Sequence, residues 1–419
     1  MVRGSNVEKG FMARGTILEA ALVGVIRLFI VLIVAIACAA AQVSKTAGRS
    51  WGNLETEAII LEPPSEYLSN ARVALEKFDW FMTESSRTNL FAQLKSFDLT
   101  AAQRASLLDL KRWSNSTNGH WFSPGREMIL GLSRLARGQL YLLLGKHPEN
   151  VYQHYPFILQ QSDVDTCLVN SGLASETIIL LKQLLYKRGP CWCFSDMAVF
   201  GGLPEHEFKR LLKTLSRVPA VVMRLRVNPE SDVSALIGYW GKHGREGRVR
   251  TLLESVAKVP GGAAIDITHL LPPLARERLY QFPDRSDPDG AAEQHCFWTA
   301  LNFFNQPPNN RFAQTRVIQE TLEKDYVRTR DQPAFGDLIA LADGSGTITH
   351  VSVYIADDVV FTKNGGYILK PWVLMRIADM VGVYATSGPL QVVTLRLKQG
   401  PARSGIEPRV ALPTGPRPF

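Results

Sequence analysis

The 419-residue chain is 46% hydrophobic and 21% charged, an ordinary globular composition that excludes a mostly disordered, collagen-like or coiled-coil protein. Its length allows roughly two or three domains with enough apolar material for real cores. The formal charge of +8 comes from 47 Lys and Arg scattered along the chain, with no basic stripe interleaved with aromatics, so no nucleic-acid partner is expected.

The N-terminus reads as an address. Arg3, Lys9, Arg14 and Arg27 face only Glu8 and Glu19, and from Leu28 the chain runs LFIVLIVAIACAAAQ. A charged start, a short apolar run and a small-residue exit make a secretory signal over residues 1–41, with Ala39-Ala40-Ala41 before Gln42 as the cleavage pattern. A spanning helix needs about twenty apolar residues, and this run reaches that length only by burying Arg27, so an uncleaved anchor is second choice. Ala35-Ile36-Ala37-Cys38 also partly matches a lipobox, which offers membrane attachment through a lipidated Cys38. The expectation is an exported protein of the periplasm, cell envelope or extracellular space, with a mature charge of +6.

From 42 to 195 the apolar spacing is mostly helical. ALEKFDWFM (74–82), AQRASLLDLKRW (102–113), LSRLARGQLYLLL (132–144) and ASETIILLKQLLYK (174–187) repeat at i, i+3 and i+4, and EHEFKRLLKTLS (205–216) continues the theme. Thr100 and Ser123-Pro124 look like helix starts and Gly145 like a stop. Trp80, Trp113, Trp121 and Tyr141 sit at helical spacing and read as core. Beyond Cys38 there are four cysteines. Cys167 could bridge to Cys191 or Cys193 in an oxidising compartment, while Cys191-Trp192-Cys193 reads as core or disulfide rather than a redox motif. No spacing suits a structural metal, and no motif asks for an organic cofactor.

Over 196–285 the period changes. AVVMRLRV (220–227) alternates as a strand, DVSALIGYWG and RVRTLLESVAKV are helices, and AAIDIT after Gly261-Gly262 is a second strand, giving a small β-α-α-β region. Asp232 is a good N-cap. LLPPLARERLYQFP (270–283) reads as a connector onto the next domain, and turn-rich RSDPDGAAE marks a boundary near 286. At the far end, residues 399–419 carry five Pro and three Gly from Gly400 onward and should form a disordered tail.

The chemistry lies in 286–398. Gln294-His295-Cys296-Phe297-Trp298 opens an apolar-periodic stretch expected to be helical to about Asn305, placing the Cys296 thiol in a first turn where unpaired N–H groups favour thiolate. FGDLIAL is a strand, and GSGTITHVSVYIADDVVFTKNG reads as a hairpin in which His350, Ser352 and Tyr354 share one face. An odd loop over Ala356-Asp357-Asp358 sets Asn364 opposite His350 and Thr362 opposite Ser352, whereas an even loop puts Lys363 on that face; the odd loop is favoured because a carboxamide can hold an imidazole and a lysine would repel imidazolium. A lone buried Cys and a lone strand His are ordinarily structural; their order and the flanking GDL favour catalysis.

A Cys opening a helix, a GDL strand, then a His opening an HVxxY strand resembles the papain-like fold of the NlpC-type cysteine peptidases, over roughly residues 290–385. The resemblance implies a C-terminal papain-like helix-plus-antiparallel-sheet domain, which with the helical N-terminal region and small β-α-α-β middle region read above makes an α+β chain. It implies Cys296 as nucleophile, His350 as base and a polar residue on the next strand, Asn364 or its runner-up Thr362, orienting the ring, with Gln294 a further oxyanion donor to weigh. Cell-wall members carry Asp-Cys-Ser-Gly around the nucleophile, and His295-Cys296-Phe297-Trp298 departs from it. The activity so implied is a cysteine hydrolase acting on an amide or peptide bond, with a peptide or peptidoglycan-like substrate. The alternative is a non-catalytic binding or scaffold protein of the cell envelope.

Overall fold

Three of the four aromatics read as helical core residues stand on strands. In the computed structural model, which describes residues 49–68, 78–159, 164–385 and 388–398, the first half of the chain carries β1 (Asn53–Leu61), β2 (Trp80–Met82), β3 (Trp113–Ser116), β4 (Gly119–Phe122), β5 (Phe157–Leu159), β6 (Tyr186–Arg188) and β7 (Cys191–Phe194). The expected export signal, Cys38 and the Pro-rich tail lie outside the described residues. Two small sheets, ordered β2-β4-β3 and β5-β7-β6, are set among the expected helices Ala101–Leu108, Arg134–Leu144, Ser175–Leu184 and Glu205–Leu215. The helical reading of 74–82 is therefore corrected: Trp80–Met82 pairs with Trp121 and its neighbours. Strands of three or four residues are too short for either period to declare itself.

Of the starts read from sequence, Ser123-Pro124 precedes the helix Gly125–Gly131 with no side-chain cap, while Thr100 and Asp232 cap their helices; Ser133 is a cap the sequence reading did not name. Thr100 forms a capping box with Gln103, and Ser133 caps Arg134–Leu144 by accepting from the Ala136 N–H. This unit has its own core around Leu90, Leu107, Phe122, Leu140, Leu181, Phe194 and Leu211. All four cysteines among the described residues are buried thiols outside any disulfide; Cys191 and Cys193 are strand residues, and burial pushes both thiols up, Cys193 to about 12.

The middle region follows its expected order. β8 (Val218–Val227) leads to helices Val233–Trp240, capped by Asp232, and Glu246–Ala257, then β9 (Ala263–Asp266). Its third strand is β1, antiparallel to β8 in the order β1-β8-β9, so residues 53–61 belong with this sheet and not with the helical region they precede. The connector near 280 docks as read. Leu279 bridges to Trp372, Tyr280 N–H donates to the Trp372 carbonyl at 2.8 Å, and Tyr280 Oη reaches the Val221 carbonyl at 2.6 Å.

The last third forms a six-stranded antiparallel sheet from β10 (Tyr326–Thr329), β11 (Leu338–Ala342), β12 (Ile348–Ala356), β13 (Val359–Lys363), β14 (Trp372–Arg376) and β15 (Gln391–Leu397), ordered β10-β15-β11-β12-β13-β14. The chain is thus α+β. The central strands are covered on both faces, which explains their unbroken burial. On one face Val351, Val353 and Phe361 join Phe297, Ala300, Leu301 and Phe303, and that core continues through Phe335 to Tyr239 and Trp240 of the middle region. On the other, Ile339, Leu341, Val360, Val373 and Met375 pack with Met380 and with Val218 and Ala220 of β8. Packing is continuous across residue 286.

The GDL motif is a structural device. Gly336 has φ +91, and a Cβ there would come within 2.6 Å of the Phe304 ring, so glycine is required on two counts. Asp337 accepts from Arg396 of β15 at 2.7 Å and from the Ala334 N–H at 2.9 Å, bracing the start of β11.

Candidate functional site

Cys296 is the first residue of the helix Cys296–Leu301, shorter than the expected run to Asn305. His295 caps it, its Nδ1 accepting from the Trp298 N–H at 3.4 Å, so one first-turn donor is already occupied. Gln294 ends the preceding helix, Pro288–Glu293, with its N–H on the Gly290 carbonyl. The Cys296 helix lies on the face of Val351, Val353 and Phe361, and its Thr299 Oγ1 accepts from the indole N–H of Trp372 at 3.0 Å.

The hairpin turn is two residues, Asp357-Asp358, with Asp357 at φ 55, and a bulge between Tyr354 and Ala356 supplies the odd residue. Val353 pairs with Phe361 and Tyr354 with Val360, a register whose parity sets Thr362 and Asn364 on the face of Ser352 and His350. Lys363 therefore points to the other face.

His350 is fully buried, with Leu341 across from it on β11. Its Nε2 lies 2.9 Å from Thr362 Oγ1. A hydroxyl accepts as readily as it donates, so Thr362 suits the tautomer with hydrogen on Nε2 and a lone pair on Nδ1. Nδ1 has no hydrogen-bond partner among the described residues. The Tyr384 ring stacks on the imidazole at 4.2 Å between centroids and 23° between planes. Burial drives the His350 pKa down to about 3, so the ring is neutral at neutral pH.

The structure brings His350 and Thr362 together. Asn364 is on the same face but just past the end of β13, where its Nδ2 turns to Met375 Sδ at 3.6 Å and its Oδ1 has no partner among the described residues. Cys296 stands on the helix of the opposite face, within electrostatic reach of two groups: its charge favours the ammonium of Lys363 and helps hold the Tyr384 phenol protonated, burial being the larger cause for Tyr384. Tyr384 thus touches His350, and the Cys296 charge is a lesser cause, after burial, of its raised pKa. Sequence reasoning missed Tyr384, because it lies twenty residues beyond the hairpin in the helix Ile377–Tyr384 with no local motif. Lys363 was legible only as a register alternative.

Thr362 can be tested apart from any activity. Thr362→Val keeps the shape and strips Nε2 of its partner, which should cost about 1–3 kcal/mol for a newly orphaned buried group, with Thr362→Ser close to wild type. Urea unfolding of the three proteins reads this directly; equal midpoints would show that the contact contributes nothing.

Among the described residues no group of His, Cys, Asp and Glu could hold a metal ion, and no helix is long and apolar enough to cross a membrane. No family model matches the chain, and neither curated proteins nor solved structures provide a match.

Proposed function

We propose that the C-terminal domain is a papain-like cysteine hydrolase of an exported protein, cleaving an amide or peptide bond in cell-wall peptide. Cys296 is the nucleophile, His350 the base and Thr362, in place of Asn364, the residue that holds the ring. The observation that carries the reading is His350 itself. Its Nδ1 has no hydrogen-bond partner among the described residues, a cost of about 1–3 kcal/mol for a buried polar atom, and the Tyr384 ring stacks on the imidazole.

The reaction requires the Cys296 Sγ–H proton to reach Nδ1 from the helix on the opposite face of the sheet, while Nε2–H stays on Thr362. The thiolate adds to the amide carbonyl, and the imidazolium returns its proton to the leaving amine. Water then hydrolyses the thioester, releasing the acid and the thiol. Burial holds the resting ring neutral, the form in which it can act as a base. Substrate must reach a thiol that is only 7% exposed.

That burial favours the second reading, a non-catalytic binding or scaffold protein of the envelope. Its ligand would use the cleft of about 890 Å³ between the middle and C-terminal regions, lined by Trp51, Tyr239, Lys242 and Tyr354. Isolated cell-wall peptide fragments incubated with the protein and with Cys296→Ala separate the two. Hydrolysed fragments seen by mass spectrometry only with wild type support the enzyme; identical spectra support the scaffold.

A further inference from the structure

Lys363 ends β13 with its side chain wholly buried, on the face opposite His350. Burying an ammonium is costly, and a lysine at a strand end ordinarily extends its head to water. Here Nζ donates to the backbone carbonyls of Gly365 at 2.9 Å and Ala291 at 3.2 Å, and lies 5.3 Å from the centre of the Trp372 ring.

Each contact leads to the segment that bears Cys296. Ala291 belongs to the helix Pro288–Glu293 just before it. Trp372 is the cross-strand partner of Lys363, and its indole N–H holds Thr299. Thr299 follows Cys296 by three residues and so shares its helix face. The turn after Lys363 closes the contact, since a Cβ on Gly366 would fall 2.5 Å from the Ala292 carbonyl. Cys296 is therefore bracketed by residues anchored to Lys363 and its strand neighbour.

The charges acting on Lys363 are Cys296, which favours the ammonium, and Arg278 and Lys370, which oppose it. The Arg278 guanidinium lies 5.0 Å from the Trp372 ring centre, on the connector helix Pro273–Arg278. His350 and Thr362 face away.

We propose that Lys363 is a positioning residue for Cys296: its ammonium stabilises the Cys296 thiolate, and its two carbonyl bonds fix the segment that carries the thiol. This rests on the nucleophile reading above and divides the labour, His350 taking the proton and Lys363 supplying the opposing charge; no bond forms to Lys363. Burial lowers the lysine to about 7 and the thiolate opposes that shift, so each charged group favours the other.

The test is a pH titration of thiolate ultraviolet absorbance on the full chain, with the Cys296→Ser spectrum subtracted so that only this thiol is read. The wild-type midpoint should fall below the free-thiol value of about 8.5. Lys363→Met should raise it by about one unit or more, a tenfold loss of thiolate at neutral pH, and Lys363→Arg should restore it, since arginine stays charged to about pH 12. His350→Gln should leave it within a few tenths of a unit. A folded Lys363→Met with the wild-type midpoint overturns the proposal. If Lys363→Met does not fold, Lys363→Arg decides alone: a midpoint at or below wild type supports the pairing, and one raised by a unit refutes it. A protein that cleaves no cell-wall fragment yet shows these shifts keeps the Lys363 pairing and loses only the activity.

Discussion

Asp196→Asn is expected to destabilise the N-terminal unit by about 3–5 kcal/mol, a large share of the roughly 5–15 kcal/mol that holds a domain folded. Arg137 is fully buried on the helix Arg134–Leu144, and its guanidinium pairs with Asp196, itself only 4% exposed. The same guanidinium donates to the Ile129 carbonyl at 2.7 Å and to Tyr141 Oη at 3.2 Å, and Tyr141 in turn donates to Asp196. Removing the carboxylate charge leaves an uncompensated cation in the core, which is why one substitution costs more than the pair contributes. Arg137→Met combined with Asp196→Leu should recover most of the loss. Urea unfolding of both singles and the double tests this; additive losses would show that the two charges do not depend on each other.

Acid should unfold the protein partly through His350. The folded-state pKa near 3 lies below the ordinary value of about 6.5, so between those limits the unfolded chain binds the extra proton. Stability contributed by the neutral ring is complete above about pH 6.5, falls as pH drops through the window, and is gone by about pH 3. At 1.36 kcal/mol per unit the span is on the order of 5 kcal/mol. His350→Gln cannot take up this proton, so the difference between its stability and that of wild type should narrow steadily from pH 6.5 to pH 3. Parallel stability curves over that range would show that the ring is not held neutral by burial.

The elements legible in the sequence are those whose signals are local. Thr100 and Asp232 announce helices because a side-chain oxygen caps its own chain within three residues. The β8–β9 region was legible because alternation and Gly261-Gly262 punctuate it. β1 could not be placed, since its partner β8 is fixed by distant pairing and not by anything near Asn53. The short strands β2 to β7 carry aromatics that suit either period, and their burial is decided by which neighbour they meet.

The site divides in the same way. Parity alone put Thr362 and Asn364 on the His350 face and Lys363 behind it, once the turn supplied an odd residue. Parity does not say which of the two touches the ring; that depends on where β13 ends, and it ends at Lys363, leaving Asn364 to turn toward Met375. Tyr384 arrives from a helix packed on the far side of β14, and the cross-face placement of the Cys296 helix follows from tertiary packing that no spacing in the chain records.

The central claim is that Cys296 and His350 act as one site, and the most direct measurement is covalent capture by a thiol-directed amide probe followed by peptide mapping. Labelling of Cys296 at neutral pH that falls by about tenfold or more in His350→Gln, and vanishes in Cys296→Ala, is the result expected from a general-base contribution. Equal labelling of Cys296 with and without His350, or faster labelling of Cys167, Cys191 or Cys193, would contradict it.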